Sequence, residues 1–450
     1  MADMEAARAA ESAQPWPKAA TAHFALAVII FATFLNFFDA AAFGLLVDLI
    51  RKDFGLSNTA MGLLGGPVNV IFYVVVMFPL SRFADVYPRK YVLAVGALLI
   101  ALLNAAGGFT MSFMALALTR MFVGAGGGAH APASYSMLSD FFAPEKRKWP
   151  FAILQLGFIG GSTIGAMIAG RMLGVAMGLP ETHVAGIALH SWKYVLLMLA
   201  LPGVVAFGLF LMVPEPQRRG VIADGKPLPL TAVFTELSDR SSVYAPLFIA
   251  LGLSTASALA TPFWIVPLFS RNYGWSPQEF AARGPLIMLT GSLLGLVAGP
   301  LLIKWLSTRY RDVNVRAVTI CFAIAAPFAI IAPMMPNPWL ALACFAVSGM
   351  MGIASATPQN LTIQEITPNQ MRGQMTGLYL MMFIAVGSLG PFLAGFLTDH
   401  LFGHDTDLWK ALSLIAALFP IAAFVMSRGI KPYAAEVARL ESLNPSPTLH

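Results

Sequence analysis

Long apolar runs alternate with short polar interruptions from Phe24 almost to the end of the chain. A helix that crosses a bilayer needs about 20 mostly apolar residues. Twelve runs qualify: 24–50, 59–81, 90–110, 113–142, 149–177, 192–213, 243–271, 281–304, 315–335, 338–363, 374–399 and 409–430. The longest polar interval between them, 214–240, follows the sixth run and is too short for a domain. The pattern predicts an all-α integral membrane protein of twelve transmembrane helices. Its parts are a tail 1–23, a six-helix bundle 24–213, a linker 214–240, a second six-helix bundle 241–430 and a tail 431–450.

Composition excludes the soluble alternative. The 450 residues are 58% hydrophobic and 11% charged, against about 25% charged in a typical soluble domain. Mean hydropathy is +0.73. The first run continues past signal-peptide length, and the partly acidic stretch before it lacks a basic n-region, so it reads as a retained span. Cys321 and Cys344 lie in apolar stretches and make no disulfide framework. With both termini on one side, twenty basic residues fall there and seven on the other, and Arg120 completes the 28. The positive-inside rule then places both termini in the cytoplasm of a cell (inner) membrane protein. The basic balance reflects this bias and calls for no nucleic acid.

The two sets of six runs resemble each other. At an offset of 225 residues, Asp140 meets Glu365, Arg147 meets Arg372, Phe158 meets Phe383 and Gly165 meets Gly390. Between the second and third run of each set, DVYPR at Asp85–Arg89 corresponds to DVNVR at Asp312–Arg316. Parallel six-helix repeats are a transporter architecture.

On these residues the chain resembles the major facilitator superfamily. SRFADVYPRK, Ser81–Lys90, matches the superfamily's cytoplasmic loop signature at Asp85, Arg89 and Lys90, and departs from its glycines at Ser81 and Pro88. NFFDAAAFGLL in the first run and the segment around Arg120 are more narrowly similar to the spinster branch. That resemblance implies a lipid carrier of the sphingosine-1-phosphate or lysophospholipid kind. The branch usually carries a glutamate seven residues after the arginine of span four, and here Gly127 stands in that place. Either its role has moved, with His130 the candidate, or this chain does without it.

Arg120 sits in TRMFVGAGGGAHAPASY with no other charge between Thr110 and Ser139. At about 100° per residue, Gly124, Gly127, Ala131 and Ser134 share its helix face. That face either lets a neighbouring helix approach or leaves a cavity, and a buried guanidinium in need of acceptors favours a carboxylate or phosphate headgroup. Asp39, with Asn36 a turn before it, is ionisable at bilayer depth, which marks a pathway or a buried partner. It reads as a proton acceptor, as a partner of Arg120, or as both. His130 either titrates near neutrality or bonds a neighbouring helix. Trp264, Gln359, Asn360 and Tyr379 are the uncharged substrate-binding candidates of the second bundle. The resemblance implies a gating latch, with Asp85, Arg89, Lys90, Arg147, Asp312, Arg316 and Arg372 as its members. Gly157, Gly161 and Gly165 read as helix packing.

Neither a nucleotide-binding P-loop nor a metal-ligand spacing is present, and GAGGGA lacks the strand that a dinucleotide loop requires. The expectation is a monomeric, cofactor-free secondary transporter, not an enzyme. It would move an organic anion of lipid-like form by alternating access, coupled to protons at Asp39. An importer of a small carboxylate or sugar acid on the same fold is the alternative. A lipid-modifying membrane enzyme would need a nucleophile–base pair, and none is found.

Overall fold

A computed structural model describes residues 16–70, 72, 75, 87–128, 130–184, 186–218, 230–368 and 371–443. Among them, ten helices are long and apolar enough to cross a membrane. The other two expected spans, 59–81 and 113–142, contain residues outside the described set. The chain divides into two units. The first is Met1–Ala42 with Ile71–Gly225, and the second is Phe43–Val70 with Lys226–His450. The division between Gly225 and Lys226 falls inside the stretch 214–240, and the end of the first helix and the start of the second group with the C-terminal half.

In the first unit lie most of α1 (Ala19–Asp53), α3 (Arg89–Gly108), α4 (Phe113–Gly128), α5 (His130–Phe141), α6 (Lys148–Met177) and α7 (Ser191–Met212). Small residues set how closely these helices approach, because helices in lipid gain by backbone contact rather than by shedding water. Gly157, Gly161 and Gly165 of α6 face Ile30, Phe34 and Phe38 of α1. A Cβ on Gly165 would stand 2.9 Å from Phe38 Cα. Gly96 of α3 and Gly126 of α4 face each other in the same way, a Cβ on Gly96 lying 3.0 Å from the Gly126 carbonyl. Gly203 brings α7 onto Ala101 of α3. Between α6 and α7 an antiparallel pair of three-residue strands, β1 (Thr182–Val184) and β2 (Ile187–Leu189), departs from the all-helical expectation.

The second unit holds α2 (Asn58–Leu63), α8 (Leu230–Asp239), α9 (Ser241–Tyr273), α10 (Pro277–Ser307), α11 (Val313–Ile331), α12 (Pro338–Ile366), α13 (Arg372–Gly387), α14 (Leu389–Leu397), α15 (Leu408–Ala416) and α16 (Leu418–Leu443). The reversal from α9 to α10 is local chemistry. Gly274 takes a left-handed φ of 69°, Pro277 opens the next helix, and Ser276 and Glu279 form a reciprocal capping box. Gly291, Gly295 and Gly299 line α10 against the backbone carbonyls of Ala346, Met350 and Ala354 on α12. Helix α8 gives the expected linker an ordered segment, tucking Val233 into the core of this unit. Helix α16 carries the expected C-terminal tail on as helix to Leu443.

Candidate functional site

Asp39 on α1, Arg120 on α4 and a third residue, Asn104 on α3, close a ring of hydrogen bonds inside the first unit. Arg120 Nη2 donates to Asp39 Oδ2. Arg120 Nη1 donates to Asn104 Oδ1 at 2.8 Å. Asn104 Nδ2 donates to Asp39 Oδ1 at 2.7 Å. All three side chains are buried, Asp39 being 6% exposed, Arg120 4% and Asn104 2%. The acceptors that a buried guanidinium requires are therefore supplied by the protein. Charge is matched locally, as burial in apolar surroundings demands.

Of the glycines on the Arg120 face, Gly127 lies against α1, a Cβ there standing 3.4 Å from Asn36 Oδ1. Gly126 allows the approach of α3, and it also lines a cavity of about 30 Å³ shared by Asp39, Asn36, Asn104 and His130. That volume matches one or two water molecules. Asn36 bonds its own helix through Nδ2 to the Ala32 carbonyl at 2.9 Å. His130 Nε2 lies 2.9 Å from Thr33 Oγ1, whose own proton goes to the Ile29 carbonyl at 2.8 Å. With that hydroxyl proton committed, the hydroxyl oxygen is the acceptor and His130 Nε2–H the donor. His130 is thus bonded to a neighbouring helix.

In the second unit the uncharged candidates split. Tyr379 donates to Gln359 Oε1 at 3.2 Å, and Gln359 Nε2 donates to Ser355 Oγ at 2.6 Å, so these three form one buried polar cluster. Asn360 is exposed and bonds back to the Ala356 carbonyl at 3.0 Å. Trp264 is fully buried, with Nε1 donating to the Pro391 carbonyl at 2.8 Å.

Helices positioned by small residues around a few buried polar groups suit a membrane carrier. The Major Facilitator Superfamily profile matches residues 29–391. The chain belongs to the Major Facilitator Superfamily. An MFS-type efflux pump of Mycolicibacterium smegmatis is 25% identical over 419 residues, 92% of either chain. Protein spinster of Drosophila melanogaster is 24% identical over 399 residues, 85% of this chain and 62% of the fly protein. A solved bacterial homologue of the human lysosomal transporter spinster, inward-facing and unoccupied, matches with a TM-score of 0.78 at 18% identity, over 96% of this chain and 100% of its own. This Major Facilitator Superfamily member is a multi-pass secondary transporter with spinster-like features.

The superfamily's loop signature is visible only from its end, because Asp85 lies outside the described residues. Arg89 is 2% exposed. It donates to Asp140 Oδ2 at 2.6 Å, Ser136 Oγ at 2.9 Å and Glu215 Oε1 at 2.9 Å. The Lys90 backbone N–H donates to Glu215 Oε2 at 2.9 Å. These bonds tie α3 to α5 and to the end of α7 within one unit. Arg147 Nε donates to the Phe142 carbonyl at 2.9 Å. Asp312 and Arg316 pair with each other at 2.7 Å on one helix turn. Arg372 opens α13, and its side chain is outside the described set.

One sequence correspondence shifts. Arg89 reaches Asp140 across 51 residues, and Asn314 Nδ2 reaches Glu365 Oε1 at 2.6 Å across the same 51. Asn314, rather than Arg316, thus makes the bond that parallels Arg89.

Sequence reasoning passed over Asn104, Thr33 and a cluster in the second unit. In that cluster Arg271 holds Asp48 with two bonds, Nε to Oδ2 at 3.1 Å and Nη2 to Oδ1 at 2.5 Å. Arg51 holds Asp405. Asp399 accepts from the backbone N–H and side chain of both Asn58 and Thr59, capping α2. A lone asparagine in an apolar run was the one available signal for Asn104.

Proposed function

We propose that this chain is a proton-coupled transporter of an organic anion, lipid-like in form. It works by alternating access between two six-helix repeats of a twelve-span monomer in the cell (inner) membrane, both termini cytoplasmic. The observation that carries the reading is the Asp39–Arg120 pair closed by Asn104 inside an apolar bundle. A guanidinium fork suits a carboxylate or phosphate, and its present partner is a carboxylate that one proton neutralises. Protonation of Asp39 would release the fork to a substrate headgroup, so proton and anion would bind together. The resemblance of NFFDAAAFGLL and the Arg120 segment to the spinster branch, which implies a lipid carrier, supports the lipid-like substrate. The equal spacing of the Arg89–Asp140 and Asn314–Glu365 bonds supports the repeat.

The test is thermal stabilisation of purified protein by lysophospholipids, sphingoid phosphates and small organic acids, repeated on Arg120→Gln. Stabilisation by a phosphate lipid in the parent but not in Arg120→Gln is expected. Stabilisation by small acids alone would turn the reading to a carboxylate importer. Equal stabilisation of both forms would sink Arg120 as the headgroup site.

A further inference from the structure

We propose that Asn104 is a positioning residue of the Asp39–Arg120 pair, setting how readily Asp39 takes a proton and leaves Arg120. The inference rests on the coupling role proposed for Asp39 and deepens it.

The Asn104 carboxamide is wired by polarity. Its oxygen accepts from the cation and its N–H donates to the anion. A flipped amide would set donor against donor and acceptor against acceptor, so one orientation is enforced. The backbone beneath it is held. A Cβ on Gly108, a turn further along α3, would stand 2.8 Å from the Leu197 side chain and 3.0 Å from the Lys193 carbonyl, and one on Gly107 would stand 3.2 Å from Leu196. Helix α3 is thus lodged against α7 at the level of the amide, and Asn104 cannot follow a neighbour that moves away.

Each Asp39 oxygen has one donor in the ring, Oδ1 from Asn104 and Oδ2 from Arg120. The groups that face the same cavity are Asn36 from α1 itself, Asn104 from α3 and His130 from α5, while α7 brings Leu199, Gly203 and Ala206 without charge. Removing the Asn104 amide leaves the carboxylate with one donor fewer, and a carboxylate short of donors takes a proton more readily. The same removal takes an acceptor from Arg120 Nη1, the arm that would otherwise stay in place when Asp39 lets go. Asn104 therefore acts on both halves of the exchange while touching neither proton nor substrate.

The test needs no substrate. Infrared difference spectra of the reconstituted full chain, titrated with pH, report the C=O stretch of a protonated carboxyl. The band absent from Asp39→Asn belongs to Asp39. In Asn104→Leu its midpoint is expected to rise by about one pH unit, a tenfold change in proton affinity. Asn104→Asp is expected to add a second band. Below that band's midpoint the neutral carboxyl offers the same acceptor and donor as the amide, so the Asp39 band returns to its parent position. Asn104→Ala, a smaller truncation, is expected to raise the Asp39 midpoint in the same direction, and it decides the matter if the leucine form fails to fold. An Asp39 band at the parent midpoint in both Asn104→Leu and Asn104→Ala would overturn the role of Asn104 and leave the coupling reading intact. A parent protein with no band missing from Asp39→Asn would overturn the coupling reading itself, and this inference with it.

Discussion

Helix α1 presents two carboxylates to two arginines, Asp39 to Arg120 in the first unit and Asp48 to Arg271 in the second. They stand nine residues apart on one continuous helix, about 14 Å along its axis. Around Asp39 the ring is completed by the Asn104 carboxamide, beside a small cavity that Asn36 and His130 also line among apolar side chains. Around Asp48 there is a network. Arg51 stands 3.7 Å from the same carboxylate and binds Asp405, and Arg271 reaches the Asp405 carbonyl at 3.4 Å and stacks over the Trp264 ring. Asn58 joins Asp399 to Asp405. A charge with several partners can exchange them at small cost, whereas a charge in a closed ring must find a replacement or be neutralised. The Asp48 cluster therefore keeps its charges paired when one contact is lost, and the coupling role proposed for Asp39 would require its ring to be neutralised or re-partnered.

The largest effect should come from breaking the ring on one side only. Arg120→Leu leaves Asp39 buried without its cation, and removing one partner of a buried pair typically costs 3–5 kcal/mol. Adding Asp39→Asn to that variant removes the stranded charge, so much of the lost stability should return, as read by thermal unfolding in one detergent. A double variant that is as unstable as the sum of both single changes would mean the two residues do not act as a pair. The same logic at the other end of α1 predicts less. Asp48→Asn leaves Arg271 its Trp264 ring and the Asp405 carbonyl, and a loss of about 1.5–3 kcal/mol is expected, the value of one hydrogen bond to a charged group. A loss equal to that of Arg120→Leu would erase the distinction between network and ring.

How much of this was legible beforehand follows the physics of each residue. Helices in lipid must be long and apolar, so the spans could be read directly, and α6 and α7 begin and end within a residue or so of the runs 149–177 and 192–213. Asp39 and Arg120 stood out because a charge in an apolar run is expensive. Asn104 did not, because a carboxamide in LLNAAGG carries no charge and a single neutral polar residue in an apolar run needs no charged partner. Strands β1 and β2 hid in a polar loop, three residues being too few for any periodicity to register. The partners of Arg89 lie 51 and 126 residues away, and no local pattern announces such a contact. The motif match of DVYPR to DVNVR, at an offset of 227, pointed instead to Arg316, whereas the offset of 225 sets Asn314 opposite Arg89. Sequence comparison weighs residue type, while a buried hydrogen bond depends on reach, and Asn314 has the reach.

The smallest expected effect separates the two interiors most cleanly. At the 225-residue offset, Trp264 stands where Asp39 does, Phe345 where Arg120 does and Ser355 where His130 does. The second unit thus carries aromatic rings and a hydroxyl in place of the charges and the imidazole. Its buried polar cluster, Ser355, Gln359 and Tyr379, is neutral throughout. Tyr379→Phe removes one hydroxyl from Gln359 Oε1 and leaves the ring among Phe248 and Phe383. A neutral hydrogen bond contributes about 1 kcal/mol, so the melting temperature should fall by only a few degrees. Stabilisation by an anionic lipid, if Arg120 provides the headgroup site, should then keep the affinity of the parent within about threefold, since a change below 1 kcal/mol is less than tenfold in binding. Loss of anion binding in Tyr379→Phe comparable to that in Arg120→Gln would place recognition of charge in a neutral cluster. The contrast between the charged Asp39 ring and the neutral Tyr379 cluster would then have no bearing on how the substrate is held.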